Sequence, residues 1–155
     1  MEFERKNYLF DDVQVYTLAF CDFEPNEYLN KLTHLEKERY FTFNNLKRKR
    51  EFVATRLLRH EVIGFEHIHY DTIGAPYIEN EGYISISHTK NLVGFALCKT
   101  FKVGLDLEII QEKIKTIKHK FLSDFEKQNF EIDDSEELTK IWSAKETLYK
   151  ISGQI

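Results

Sequence analysis

The sequence predicts a mixed fold of strands and helices in one continuous globular region, and three observations carry that reading. Val13 to Phe20, Tyr83 to Ser87 and Leu92 to Cys98 are β-rich apolar runs, the second alternating Ile84 and Ile86 with Ser85 and Ser87. Leu46 to Ile63, and a stretch opening near Ser135, carry apolar residues at helical spacing. Finally, 155 residues that are 42% hydrophobic and 14% aromatic suffice to bury a core.

Taken in order, the amino terminus MEFERKNYLFDD is charged and has no apolar run, so the first strand is placed at Val13 to Phe20. Pro25 to Leu32 reads as a short helix. Thr33-His34-Leu35-Glu36 has the form of a capping box, which starts a helix running towards Phe43, and Asn44-Asn45 offers the next N-cap. The helix that follows carries Leu46, Val53 and Leu57 and a neighbouring line through Ala54, Leu58 and Val62, and Gly64 stops it. Its first turn is Lys47-Arg48-Lys49-Arg50, with Arg56 and Arg59 further on. Cations there oppose the helix dipole and call for an anionic partner.

Asp71 to Pro76 is a turn. His88-Thr89-Lys90-Asn91 reads as the loop of a hairpin from Tyr83–Ser87 into Leu92–Cys98, and a further tight connection leads to a third strand at Val103 to Glu108, completing an antiparallel meander. Ile114, Ile117 and Phe121 mark an amphipathic helix with Lys113, Lys115, Lys118 and Lys120 on its other face. Ser123 to Glu126 is a second capping box. The last helix opens near Ser135 with Glu136 and Glu137 in its first turn, buries Leu138, Ile141, Trp142 and Leu148, and ends near Ser152-Gly153.

Several classes of function are disfavoured at once. A net charge of −4 argues against general affinity for nucleic acid, and no stretch approaches the roughly 18 apolar residues that span a bilayer, so a cytoplasmic protein is expected. Two prolines and six glycines leave no room for a flexible linker. Cys21 and Cys98 sit in apolar runs and are expected to be reduced and buried. His60, His67 and His69 have no acidic or cysteine partner at ligand spacing and are expected to be surface residues.

Two stretches carry the chemistry. In Val103-Gly104-Leu105-Asp106-Leu107-Glu108, alternation puts Asp106 and Glu108 on one face, and paired carboxylates suit a hard divalent ion such as Mg²⁺. In Trp142-Ser143-Ala144-Lys145-Glu146-Thr147-Leu148-Tyr149-Lys150, Glu146 and Lys150 lie one helical turn apart on one face, offering a third carboxylate and a fixed cation. Either alone is ordinary: a solvated strand face, and a surface pair of about 0.2–0.5 kcal/mol.

Together, GLDLE followed by WSAKETLYK resembles the paired signatures of the 4′-phosphopantetheinyl transferases: Gly-Ile/Val-Asp-Ile/Val/Leu-Glu, then Trp-x-x-Lys-Glu-x-x-x-Lys. Three further stretches are similar to family regions: LEKERYFTFNNLKRKREFVATRLLR, ISISHTKNLVGFAL and KFLSDFE. The resemblance implies an α+β fold of two similar lobes related by a pseudo-twofold, with the first over about residues 1–100. The second, over about 101–155, would be incomplete, because family members usually continue into further strands; a truncated chain or a naturally shortened member would look like this.

The resemblance also implies transfer of the 4′-phosphopantetheine arm of coenzyme A to a serine of an apo carrier protein, with release of 3′,5′-ADP. It puts Mg²⁺ on Asp106, Glu108 and Glu146, with Glu146 and Lys150 catalytic. It puts coenzyme A on Lys37, Arg50, Ser87, His88, Lys145 and Lys150. Gly74-Ala75-Pro76 stands where the family has Gly-Lys-Pro, so Ala75 removes one phosphate contact. A monomer with no nucleic-acid or membrane partner is expected. Two other readings remain: a member that binds coenzyme A or carrier protein without transfer, and an adaptor or nucleic-acid module using Lys47 to Arg50.

Overall fold

The computed structural model describes residues 3–72, 74–79 and 82–152. It contains one antiparallel sheet of six strands: β1 (Phe3–Phe10), β2 (Val13–Phe20), β3 (His69–Tyr70), β4 (Pro76–Ile78), β5 (Gly82–Thr89) and β6 (Leu92–Cys98). Their spatial order is β1-β2-β6-β5-β4-β3. The helices are α1 (His34–Phe41), α2 (Leu46–Ile63), α3 (Ile114–Ile117), α4 (Asp124–Asn129) and α5 (Ser135–Ser152), with 3₁₀ turns at Pro25–Lys31 and Lys118–Lys120. The fold is therefore α+β. All six strands precede Lys99, and beyond it the described residues are extended chain and helices. The expected stop at Gly153 lies outside the described residues.

Register explains the core. Leu18 of β2 faces Val93 of β6, and Ile86 of β5 faces Phe95, so one face of the sheet presents Leu18, Phe20, Val93, Phe95, Leu97 and Ile84. Onto that face α2 lays Phe52, Val53, Ala54, Leu57 and Leu58, all buried. Each such side chain removed from water contributes about 1.5–3 kcal/mol. Both capping boxes form as the sequence predicts: Glu36 N donates to Thr33 Oγ1 while Thr33 N donates to Glu36, and Ser123 and Glu126 repeat the exchange at α4. Asn45 caps α2 by accepting from Arg48 N.

The opposite face of the sheet departs from expectation. Val103 to Glu108 joins no ladder. The reason is topological: β6 is already paired with β2 and β5, and β5 with β6 and β4. The segment instead lies across the sheet, its amides bound by side chains of β5. Leu105 N donates to Ser85 Oγ and Leu107 N to Ser87 Oγ, each at 3.0 Å. Gly94 of β6 makes room beneath it, since a Cβ there would come within 2.8 Å of Leu105 and 2.9 Å of Leu107. Gly104 does the same on the segment's outer side, where a Cβ would collide with the Thr147 carbonyl of α5.

Other expectations need correction. The charged amino terminus is a strand, β1, which turns through Asp11 (φ 49°) into β2; its described side chains are exposed on both faces, so no apolar alternation marks it. His88 lies in β5 and not in a loop, because the hairpin is closed by Lys90-Asn91 alone, with Asn91 at φ 59°. The helix expected around Ile114 to Phe121 is a single turn followed by a 3₁₀ turn. Cys98 is buried, but Cys21 lies just past the end of β2 and is exposed; neither is disulfide-bonded.

Candidate active site

The crossing segment and α5 meet along one stripe of the helix. Trp142, Glu146 and Lys150 are spaced four apart, hence share a face. At one end of that stripe Trp142 Nε1 donates to Glu108 Oε1 at 3.0 Å. At the other, Lys150 Nζ donates to Asp106 Oδ1 at 2.9 Å and to the Leu105 carbonyl at 2.7 Å. Ser87 Oγ adds a bond to Asp106 Oδ1 at 3.3 Å. The Asp106 side chain is only 7% exposed, and its second oxygen, Oδ2, is buried without a hydrogen-bond partner. An orphaned carboxylate oxygen in a buried position is unfavourable unless a cation or donor completes it.

The three carboxylates named from the sequence are not gathered at one point: among the described residues, no three His, Cys, Asp or Glu side chains are grouped to hold a metal. Asp106 and Glu108 are tied to partners two turns of α5 apart, about 12 Å, which splays them to opposite ends of the stripe. Glu146, half-buried, sits at the turn between.

Lys150 also borders a cavity of about 330 Å³ between α2, β5 and the turn before β4. Its cationic lining is Arg39, Arg48, Arg56 and Lys150; among the described residues Glu51 is the one acid on its wall. His88 stands at the α2 amino-terminal end. Arg48 Nη1 lies 3.0 Å from His88 Nε2, and since arginine only donates, Nε2 accepts and the ring proton sits on Nδ1, 3.7 Å from Glu51 Oε2. Burial, with Arg48, Lys150 and Lys47 nearby, outweighs Glu51 and holds the His88 pKa below its usual value, so the ring is neutral at neutral pH.

Some residues named from the sequence are occupied elsewhere. Arg50 donates from Nε to the Phe23 carbonyl and pairs with Asp22 at 2.8 Å, away from the cavity. Helical geometry places it there: two residues turn a helix by 200°, so Arg50 points away from the Arg48-Phe52-Arg56 stripe. That stripe, at spacing four, was the available signal. Lys37 does not line the cavity, whereas Arg39, two residues on, does. Lys145 is half-buried and spent on α4, bonding Glu126 Oε2 at 2.8 Å and the Phe121 carbonyl. The Glu126 carboxyl is thereby held down at about 2, chiefly by Lys145 and then by the Ser123 backbone. Ser87 serves the crossing segment and Asp106. Tyr70 and Tyr149 complete the cavity wall without a sequence signal.

Among the described residues no helix is long and apolar enough to cross a membrane. No curated protein sequence matches the chain. The stretch that lays Asp106 across the sheet and returns Lys150 to it does match a family model: residues 102–154 are similar to the 4′-phosphopantetheinyl transferase superfamily, a family of transferases.

Proposed function

We propose that the chain transfers the 4′-phosphopantetheine arm of coenzyme A to a serine hydroxyl of an apo carrier protein. The serine oxygen attacks the phosphorus that bears the arm, the bond from that phosphorus to the bridging pyrophosphate oxygen breaks, and 3′,5′-ADP leaves with the electron pair. The observation that best supports this is the Asp106–Lys150 pair at the border of a cavity lined by three arginines. Such a transfer needs charge neutralisation and alignment more than covalent help.

Lys150 Nζ, fixed by the Leu105 carbonyl and Asp106, stabilises the charge that develops on the pyrophosphate. Glu146 accepts the serine proton. Arg48 and neutral His88 hold the nucleotide end, with Arg39 and Arg56 further along the wall. Asp106, whose Oδ2 lacks a partner, is the residue that would hold Mg²⁺; Glu108 and Glu146 are also hard oxygen donors but stand apart from it along α5, so they would have to close on the ion to complete its shell. When bound, the ion supplies Lewis-acid neutralisation of the pyrophosphate.

Incubating the chain with coenzyme A, Mg²⁺ and an apo carrier protein, then weighing the carrier by mass spectrometry, tests the proposal. A carrier heavier by one phosphopantetheine, with 3′,5′-ADP released, is the expected result. Nucleotide binding without modification would instead establish a binding member of the fold, and absence of both would remove the reading.

A further inference from the structure

Glu36 and Glu51 are both buried beside arginines of α2, but only the first is closely paired. Glu36 Oε2 lies 2.6 Å from Arg59 Nη2, and Glu36 Oε1 lies 3.3 Å from Arg56 Nε. Glu51, 8% exposed, stands on the wall of the basic cavity, where a carboxylate opposes any anion that enters. Its cations stand off: Arg48 Nη1 at 3.6 Å, Lys47 Nζ at 3.8 Å and His88 Nδ1 at 3.7 Å, all beyond hydrogen-bond length. An acid held so loosely on such a wall calls for a partner that closes on it in another state of the site.

His88 is that partner. Arg48 Nη1, 3.0 Å from Nε2, leaves the ring proton on Nδ1, facing Glu51. The charged groups around the ring are Glu51, Arg48 and Lys47 from α2 and Lys150 from α5. Partial burial, and then the three cations, outweigh the one acid, so the ring is neutral in this structure. A ligand phosphate at this place inverts the balance. It brings negative charge to the ring and takes up the Arg48 guanidinium that Nε2 now faces. An imidazolium then has two acceptors, the phosphate for Nε2 and Glu51 for Nδ1. The His88 side chain is 39% exposed, open enough for water to supply the proton.

We infer that Glu51 is a positioning residue that couples phosphate binding to the uptake of a proton: as a phosphate takes Arg48, His88 gains a proton from solvent at Nε2, and its Nδ1–H closes on the Glu51 carboxylate. The inference rests on the coenzyme A reading for the ligand and adds control of the same site by pH. A complex that holds one proton more than its separate parts tightens as pH falls.

Calorimetry with 3′,5′-ADP on the whole chain, at pH 7.5 in buffers of different ionisation enthalpy, counts the protons. Phosphate monoesters, with a second pKa of about 6, are dianions there and contribute little of their own. Wild type should take up about 0.5 proton or more per ligand, and its affinity should rise about threefold or more from pH 8 to pH 7. Glu51→Gln removes an anion from the wall, so at pH 8 it should bind at least as tightly, yet take up far less proton and lose the pH slope. A merely structural role for Glu51 would lower affinity at every pH alike. Glu51→Asp, which keeps the charge, should restore part of the uptake. Should Glu51→Gln not fold, Glu51→Ala carries the comparison, since it keeps the carbonyl to which Thr55 donates.

Equal uptake in wild type and Glu51→Gln, or binding of 3′,5′-ADP to wild type without uptake, overturns the coupling and leaves the coenzyme A reading in place. If 3′,5′-ADP does not bind wild type, the coenzyme A reading falls, and inorganic sulfate, a dianion throughout this pH range, decides the coupling. Thermal stabilisation by sulfate that grows from pH 8 to pH 7 in wild type but not in Glu51→Gln supports it. Parallel responses in the two proteins, or none in either, overturn it.

Discussion

Residues 3–98 bury Leu18, Val53, Leu58 and Phe95 between one sheet face and α2, whereas residues 99–152 reach the other face through hydrogen bonds and ion pairs. After Lys99, Leu122 and Leu138 are the only buried apolar side chains among the described residues. Beside Leu138 and the Phe121–Trp142 ring contact, polar pairs seat α5: Lys150 on Asp106, Trp142 on Glu108, Lys145 on Glu126. Apolar burial is large and undirected, while charge-assisted bonds are smaller and depend on geometry. The first region accordingly sets stability, and the second, which holds the superfamily match, sets the position of reactive groups.

The largest effect should come from breaking the first region. Phe95 is fully buried at the centre of the sheet, and Phe95→Ala should lower the unfolding free energy by about 3–5 kcal/mol. Urea denaturation measures it, and a loss under about 1 kcal/mol would mean that the core lies elsewhere. Lys150→Ala should reverse the pattern. Turnover should fall on the order of a hundredfold, with a much smaller change in coenzyme A affinity and a stability loss of about 1–3 kcal/mol from the broken Asp106 pair, below that of Phe95→Ala. Equal losses in turnover and affinity would return Lys150 to a simple binding role.

Ser87→Ala sharpens the comparison at the seam between the regions. It removes the acceptor for Leu107 N and the donor to Asp106, so local opening should become easier by about 1–3 kcal/mol. Hydrogen exchange at Leu107 should quicken while exchange in β6 stays as slow as before. Matching acceleration in both would show that the segment and the sheet open as one unit.

Glu126→Gln should have the smallest effect, and it carries a pH signature. The Glu126 carboxyl is held at about 2 against an ordinary 4.5. A depressed carboxylate contributes stability fully above its unfolded value and loses it as pH falls towards its folded value. Between pH 4.5 and about 2, the melting temperature of wild type should therefore fall more steeply than that of Glu126→Gln. The difference at neutral pH should be of the order of 1 kcal/mol after solvent screening. Parallel curves would mean that Lys145 holds α4 without electrostatic help.

What could be read from the sequence follows the same division. The caps at Thr33, Asn45 and Ser123, the stop at Gly64, the β5–β6 pair and the last helix are local signals, and the structure has them, except that Leu148, expected to be buried in that helix, is exposed because it points away from the Trp142-Glu146-Lys150 stripe. Asp106, Glu108, Glu146 and Lys150 were legible as residues, but the arrangement of their side chains was not. Alternation marked Val103 to Glu108 as extended, yet whether an extended chain joins a sheet depends on which edges are already filled. β1 was hidden because its described side chains face solvent on both sides, which leaves no pattern to find. Arg50 was named by its place in the resemblance, whereas which residues of α2 line the cavity depends on the helical angle. Glu36 was read as a cap, and its second role, facing Arg56 and Arg59, needed the packing of α1 on α2.

The Asp106 oxygen without a partner is where the proposed chemistry is most exposed to test. Asp106 is paired with Lys150, so Asp106→Asn should cost the metal-free protein about 1–3 kcal/mol. A thermal shift titration with Mg²⁺, with and without coenzyme A, is the direct measurement. The wild-type midpoint should rise with Mg²⁺ and rise further with coenzyme A, while Asp106→Asn starts lower and stays flat in the metal. Identical metal dependence in the two proteins would contradict a cation site at Asp106.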